Sequence, residues 1–142
     1  MPFSLLIRVA ETDIDEVGHV NNQVYLRWVQ EVATAHWRAV APPEDQAAIV
    51  WVVLRHEIDY KSPAFVDEEI LLQTLVVDAI RGVTFERDTT IMRAADEHVL
   101  ARARTIWCPL NHDSGRPQRL AATLRRQFMT DSSTESKPSE PM

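Results

Sequence analysis

A chain of 142 residues with 45% hydrophobic content and four Trp can bury one substantial core, so no second domain is required. Its formal net charge of -6 argues against a general nucleic-acid surface, which needs clustered Lys and Arg to release phosphate counterions. Met1 to Arg8 does not resemble a signal peptide, no stretch approaches the ~18 apolar residues that span a bilayer, and the single Cys, Cys108, permits no intramolecular disulfide. The expected setting is the cytoplasm, away from membranes.

Residues Phe3 to Ala10 alternate as a short strand would, and a polar loop then leads into a helix expected from about Asn21 to Val40, closed by Pro42-Pro43. At about 100 degrees per residue, Gln23, Arg27, Gln30, Glu31, Thr34 and Arg38 fall in one narrow arc. The rest of the circumference is mostly apolar, which predicts deep burial, as when a sheet curls around the helix. The pattern then changes to period two, with strands expected at Ile49–Tyr60, Glu69–Val77, Val83–Met92 and Val99–Cys108. Breaks at Ser62-Pro63, Arg81-Gly82 and Asp96-Glu97 read as brief connections, so consecutive strands are expected to form an antiparallel meander. A short helix is expected over Gln118–Phe128. The division expected is a domain over 1–130 and a disordered tail over 131–142, rich in Ser, Thr, Glu, Lys and Pro. This order predicts an α+β domain in which an antiparallel sheet wraps a long central helix.

The stretch Thr12 to Asn22 carries the chemistry, because it sets carboxylates, a glycine turn and an imidazole just before a helix start. A helix start presents unpaired N–H groups and partial positive charge, so an acid beside it suits attack on an acyl carbonyl. Plainer roles compete at each position. Asp13 or Asp15 can cap a turn, Gly18, expected to let the backbone turn between acid and helix where a Cβ would clash, can be an ordinary loop glycine, and Asn21 or Asn22 can cap the helix. His19 can orient a carboxylate or water, or serve as a structural hydrogen-bonding residue. Tyr25 and Trp28, three apart, can line an acyl pocket, although core packing suits Trp28 better. Glu31 is a rival acid whose place in the solvated arc counts against it. Calcium is disfavoured because Val17 and Val24 occupy ligand positions of the loop that starts at Asp13. His36, His56, His98 and His112 show no paired zinc spacing, no Gly-x-Ser-x-Gly elbow is present, and Cys108 reads as a small strand residue.

Asp15-Glu16-Val17-Gly18-His19-Val20-Asn21-Asn22-Gln23-Val24-Tyr25-Leu26-Arg27-Trp28 resembles the motif of hotdog-fold thioesterases in the 4-hydroxybenzoyl-CoA thioesterase superfamily. Ile58-Asp59-Tyr60-Lys61-Ser62-Pro63-Ala64, with Asp67-Glu68, is similar to the family's second-strand ending and turn. The resemblance covers about residues 3–128. It implies a hotdog fold and hydrolysis of an acyl-CoA or acyl-carrier-protein thioester, with Asp15 as nucleophile or general base and the Asn22 N–H polarising the carbonyl. His19 joins that catalytic set, and Gly18, Tyr25 and Trp28 the substrate site. No cofactor is implied, coenzyme A being part of the substrate. Two subunits are implied to pair and build each site at their boundary, as a homodimer or a homotetramer. Lys61, Arg81, Arg87, Arg116, Arg125 and Arg126 are candidate cations for coenzyme A phosphates at a pocket mouth. A hotdog hydratase or dehydratase is a second reading, disfavoured because Asp15 and His19 stand four apart where that class is expected to place them five apart. A non-catalytic acyl-thioester-binding module is the third.

Overall fold

The computed structural model describes residues 2–80 and 83–134. In chain order they form β1 (Phe3–Arg8), a 3-10 turn (Glu11–Asp13), α1 (Asn22–Val40), α2 (Pro43–Ala48), β2 (Ile49–Tyr60), β3 (Glu69–Ile80), β4 (Thr84–Arg93), β5 (Val99–Asn111) and α3 (Ala122–Thr134). The five strands make one antiparallel sheet in the order β1-β3-β4-β5-β2, with α1 against it. This is the expected α+β architecture of a hotdog fold. The meander expected of the four later strands is formed only in part. β3, β4 and β5 follow one another, but β2 pairs with β5 at the opposite edge from β1. Residues 61–68 therefore cross the end of the sheet, and the crossing passes the start of α1, where the Val20 N–H donates to the Ala64 carbonyl at 3.0 Å.

α1 begins where the sequence asks for it. Asn21 stands in extended backbone as the N-cap and its side chain accepts from the Gln23 N–H. The helix ends at Ala41, whose backbone is extended as expected for a residue preceding proline. Pro42 and Pro43 do more than stop α1, because Pro43 opens α2 at the first helical position, where a missing N–H costs nothing. That short helix has no counterpart in the expected elements. α3 begins four residues later than expected and continues through 131–134, residues assigned to the tail; 135–142 lie outside the described residues, as does the expected Arg81-Gly82 turn.

Gln23, Arg27, Gln30, Glu31, Thr34 and Arg38 are all exposed, and the opposite face of α1 buries Val24, Tyr25, Trp28, Val29, Val32, Ala33, His36 and Trp37. The N-terminal half packs with Ile70, Leu72, Ile91 and Leu100, while Trp37 packs farther along with Phe85, Leu120, Leu124 and Phe128 beneath α3. Among the described residues, no helix is long and apolar enough to cross a membrane. Trp28 is 1% exposed at the centre of the first cluster. Trp28→Ala should cost about 3–5 kcal/mol in urea unfolding, whereas Val17→Ala, at a position 70% exposed, should stay within about 0.5 kcal/mol.

Candidate active site

The loop before α1 is a small hairpin of its own. Ile14 and Val20 form an antiparallel bridge, the Asp15 N–H donates to the His19 carbonyl at 2.8 Å, and the Gly18 N–H returns to the Asp15 carbonyl at 3.1 Å. Gly18 has φ +86°, in the left-handed region, and a Cβ built there would meet nothing within 4 Å. The need for glycine is therefore conformational, not the avoidance of a clash.

The two carboxylates of this loop have different environments. Asp13 is 4% exposed and both of its oxygens are engaged: Oδ2 accepts from the Ala10 N–H and Oδ1 from Arg27 Nη2, each at 2.9 Å. Its carbonyl also accepts from the Asn21 N–H. Arg27 in turn reaches Glu31 at 3.4 Å, and its hydrogen bond to Asp13 raises the guanidinium pKa. Glu31 is exposed on the solvated arc. Asp15 is only partly buried, and its Oδ1 accepts from the Val17 N–H at 3.0 Å, the turn-capping contact. Its Oδ2 accepts no hydrogen bond among the described residues, which leaves that oxygen open for chemistry.

At the head of α1, Asn21 caps Gln23 and accepts from the Val24 N–H through its carbonyl, whereas the Asn22 N–H has no acceptor among the described residues. Asn22 lines a cavity of about 230 Å³ with His19, Val20, Tyr25, Tyr60, Lys61, Ser62 and Pro63. The Tyr60 hydroxyl donates to the Asn22 carbonyl at 3.2 Å, and the Tyr25 hydroxyl accepts from the Ala64 N–H at 3.2 Å. The Tyr25 ring stands edge-on to Tyr60, and burial holds its hydroxyl pKa above the usual value. His19 is exposed, edge-on to Phe65. The structure thus brings together His19, Asn22 and Tyr25. Asp15, Gly18 and Trp28 do not line this cavity, and Trp28 packs in the core beside Tyr25. Sequence reasoning gave Tyr60 and Ser62 no role, although the motif ending at Ala64 contains both.

Of the five candidate cations among the described residues, Lys61 alone lines this small cavity. Arg116 and Arg126 are exposed and Arg125 is half-buried, none of them lining either cavity described here, and Arg81 lies outside the described residues. Arg87 is not at a mouth. It is 3% exposed and lines a second cavity, of about 580 Å³, along the C-terminal half of α1. It lies on the same buried face of β4 as Phe85, Thr89 and Ile91. Its Nη1 donates to His36 Nδ1 at 3.1 Å and to Thr74 Oγ1 at 3.2 Å, and its guanidinium sits 5.3 Å from the Phe128 ring. Burial lowers the Arg87 pKa to about 9, so it stays charged at neutral pH. His36 is fully buried and stacked on Phe128; burial, reinforced by the positive charge of Arg87, lowers its pKa to about 3. Cys108 is buried, which raises its thiol pKa, as suits a strand residue.

Residues 9–128 match the family model described as the thioesterase-like superfamily. No curated protein matches the sequence significantly. Among solved structures, a 1,4-dihydroxy-2-naphthoyl-CoA thioesterase from Synechocystis is similar over 99% of this chain and 100% of its own, with TM-score 0.78 and 16% identity. A thioesterase from Thermus thermophilus, crystallised with coenzyme A and zinc, gives TM-score 0.75 and 22% identity over 88% of this chain and 95% of its own. The probable thioesterase YbaW of Escherichia coli gives 0.74 and 21% over 89% and 98%.

The buried imidazole carries a pH signature. Unfolded, His36 protonates near its ordinary 6.5, and folded only near 3, so between these values the unfolded chain binds the extra proton. The stability tied to neutral His36 is present above pH 6.5 and is lost as the pH falls. Urea unfolding should show the wild type losing about 1.4 kcal/mol per pH unit below that point relative to His36→Gln. Parallel pH profiles for the two proteins would contradict the assignment.

Proposed function

Because the chain belongs to the thioesterase-like superfamily, we propose that it hydrolyses an acyl-CoA or acyl-carrier-protein thioester to free acid and thiol. The observation that carries this reading is the Asn22 N–H, a donor without an acceptor among the described residues at the head of a helix, in a cavity beside Tyr25 and Tyr60. Such a donor, placed where a carbonyl oxygen gains charge, is worth roughly 3 kcal/mol in the transition state.

In this reading the thioester carbonyl oxygen accepts from the Asn22 N–H. Asp15 then acts through its open oxygen. As nucleophile it forms an acyl-carboxylate anhydride, expels the thiolate and is regenerated by water. As general base it takes a proton from the water that attacks the carbonyl carbon, and the thiolate leaves and is protonated. His19, at the cavity rim, orients water, Tyr25 walls the acyl entrance, and Lys61 faces carrier phosphate.

A second copy of the chain completes the site. β2 is a sheet edge of twelve residues that exposes Val50, Leu54 and Tyr60, a long apolar edge suited to pairing with another strand. Asp15 does not line the small cavity within one chain, and a substrate held between two copies can meet both groups. The assembly is a homodimer, with a homotetramer formed if dimers pack further.

The test compares Asp15→Asn with Asp13→Asn across short, long and aromatic acyl-CoA substrates, following thiol release. Asp15→Asn should lower kcat by about 100-fold or more with little change in folding stability. Asp13→Asn should destabilise by about 1–3 kcal/mol, because it weakens the bond between this buried side chain and the exposed Arg27. Unchanged turnover in Asp15→Asn would remove that residue from the mechanism.

A further inference from the structure

We infer that the larger cavity is a binding site for an apolar carboxylate, a ligand whose hydrocarbon or aromatic body fills the ring-lined space and whose anionic group meets Arg87. The cavity, about 580 Å³, is of the size that takes a small organic molecule, and Trp37, Trp51, Phe85, Trp107 and Phe128 give it aromatic walls. Arg87 lines it while almost wholly buried, and among the residues whose side chains are described no carboxylate lies within ion-pairing distance of it. The partners of its Nη1, His36 and Thr74, carry no negative charge at neutral pH. A buried cation without a counterion is costly to keep, and a carboxylate is the group that matches a guanidinium fork.

The rest of the lining points the same way. Among the described residues it contains a second cation, Arg38, and no Asp or Glu, in a chain that holds 21 acidic and 15 basic residues. The indole nitrogens of Trp51 and Trp107 are buried without an acceptor, so the lining residues have donors in excess. A multiply charged carrier fits poorly, because it would bring several phosphates to one buried guanidinium.

This site is separate from the small cavity. Among the described residues the two share no lining residue, and the α1 residues that line the larger one begin at Gln30, about 12 Å along the axis from Asn22. The inference therefore stands or falls independently of thioester hydrolysis.

Fluorescence titration with matched probes tests it. Anilinonaphthalene sulfonate has an anionic group on an aromatic body, and phenylnaphthylamine has the same body without the charge. The wild type should bind the sulfonate at least about tenfold more tightly than the neutral probe, and naphthoate should displace it where naphthamide does not. Arg87→Met should weaken the sulfonate by about tenfold or more while leaving the neutral probe unchanged, and Arg87→Lys should retain part of the preference. Should Arg87→Met fail to fold, Thr34→Trp, which narrows the cavity from an exposed lining position, should weaken sulfonate and naphthoate alike. Equal affinity for the charged and neutral probes, undiminished sulfonate binding in Arg87→Met or in Thr34→Trp, or displacement by coenzyme A alone would overturn the assignment.

Discussion

The fixing of the first turn of α1 is the constraint on which the rest depends. Three separate parts of the chain converge there. The Asn21 N–H is held by the Asp13 carbonyl, the Val20 N–H by the Ala64 carbonyl, and the Tyr25 hydroxyl by the Ala64 N–H. Asp13 and Arg27 join the loop to the helix one turn farther on. Each bond is modest, worth about 0.5–1.5 kcal/mol net, but together they allow one entry angle for the helix. That angle directs the buried face toward the sheet, and it leaves one amide at the helix head without an internal acceptor. Fold and candidate chemistry therefore share a cause.

The different environments of the two loop carboxylates follow from the same geometry. Asp13 is enclosed and fully bonded, so its charge is committed to structure. Asp15 uses one oxygen to close its turn and leaves the other open. A catalytic carboxylate needs that balance, since one with no anchor loses orientation and one with every lone pair engaged cannot attack. Farther along the helix, Arg87 and His36 place polar chemistry deep among aromatic rings. Their burial sets two pKa values far from the ordinary range, which gives this end of the molecule a chemistry unlike that of the small cavity.

What could be read from the sequence followed the range of the interaction. The start of α1 was legible because capping by Asn21 is local, and its solvated arc was legible because helical spacing alone decides it. The end of α1 was legible for the same reason, yet Pro42-Pro43 was read as a stop when Pro43 also begins α2. The place of β2 at the far edge was not legible, because short connections between strands favour neighbours and only the crossing over residues 61–68 reverses that. Asp13 and Asp15 stand two apart in one loop, and nothing local says which is buried; Arg27, fourteen positions on, decides it. Arg87, expected at a pocket mouth, lies in the interior instead. Its parity along β4 placed it with the core face, but its charge suggested a surface role, and only the packing of His36 and Phe128 shows how an arginine is accommodated there.

In the proposed mechanism one carbonyl meets the amide of Asn22 and the carboxylate of Asp15 together. The most direct measurement is a crystal structure of the assembled protein bound to an acyl-CoA analogue in which a methylene replaces the thioester sulfur. The ketone oxygen should lie about 3 Å from the Asn22 nitrogen, with an Asp15 oxygen facing the carbonyl carbon at about 3–3.5 Å. A ketone oxygen accepted by other groups, with Asp15 turned to solvent in every subunit, would contradict it.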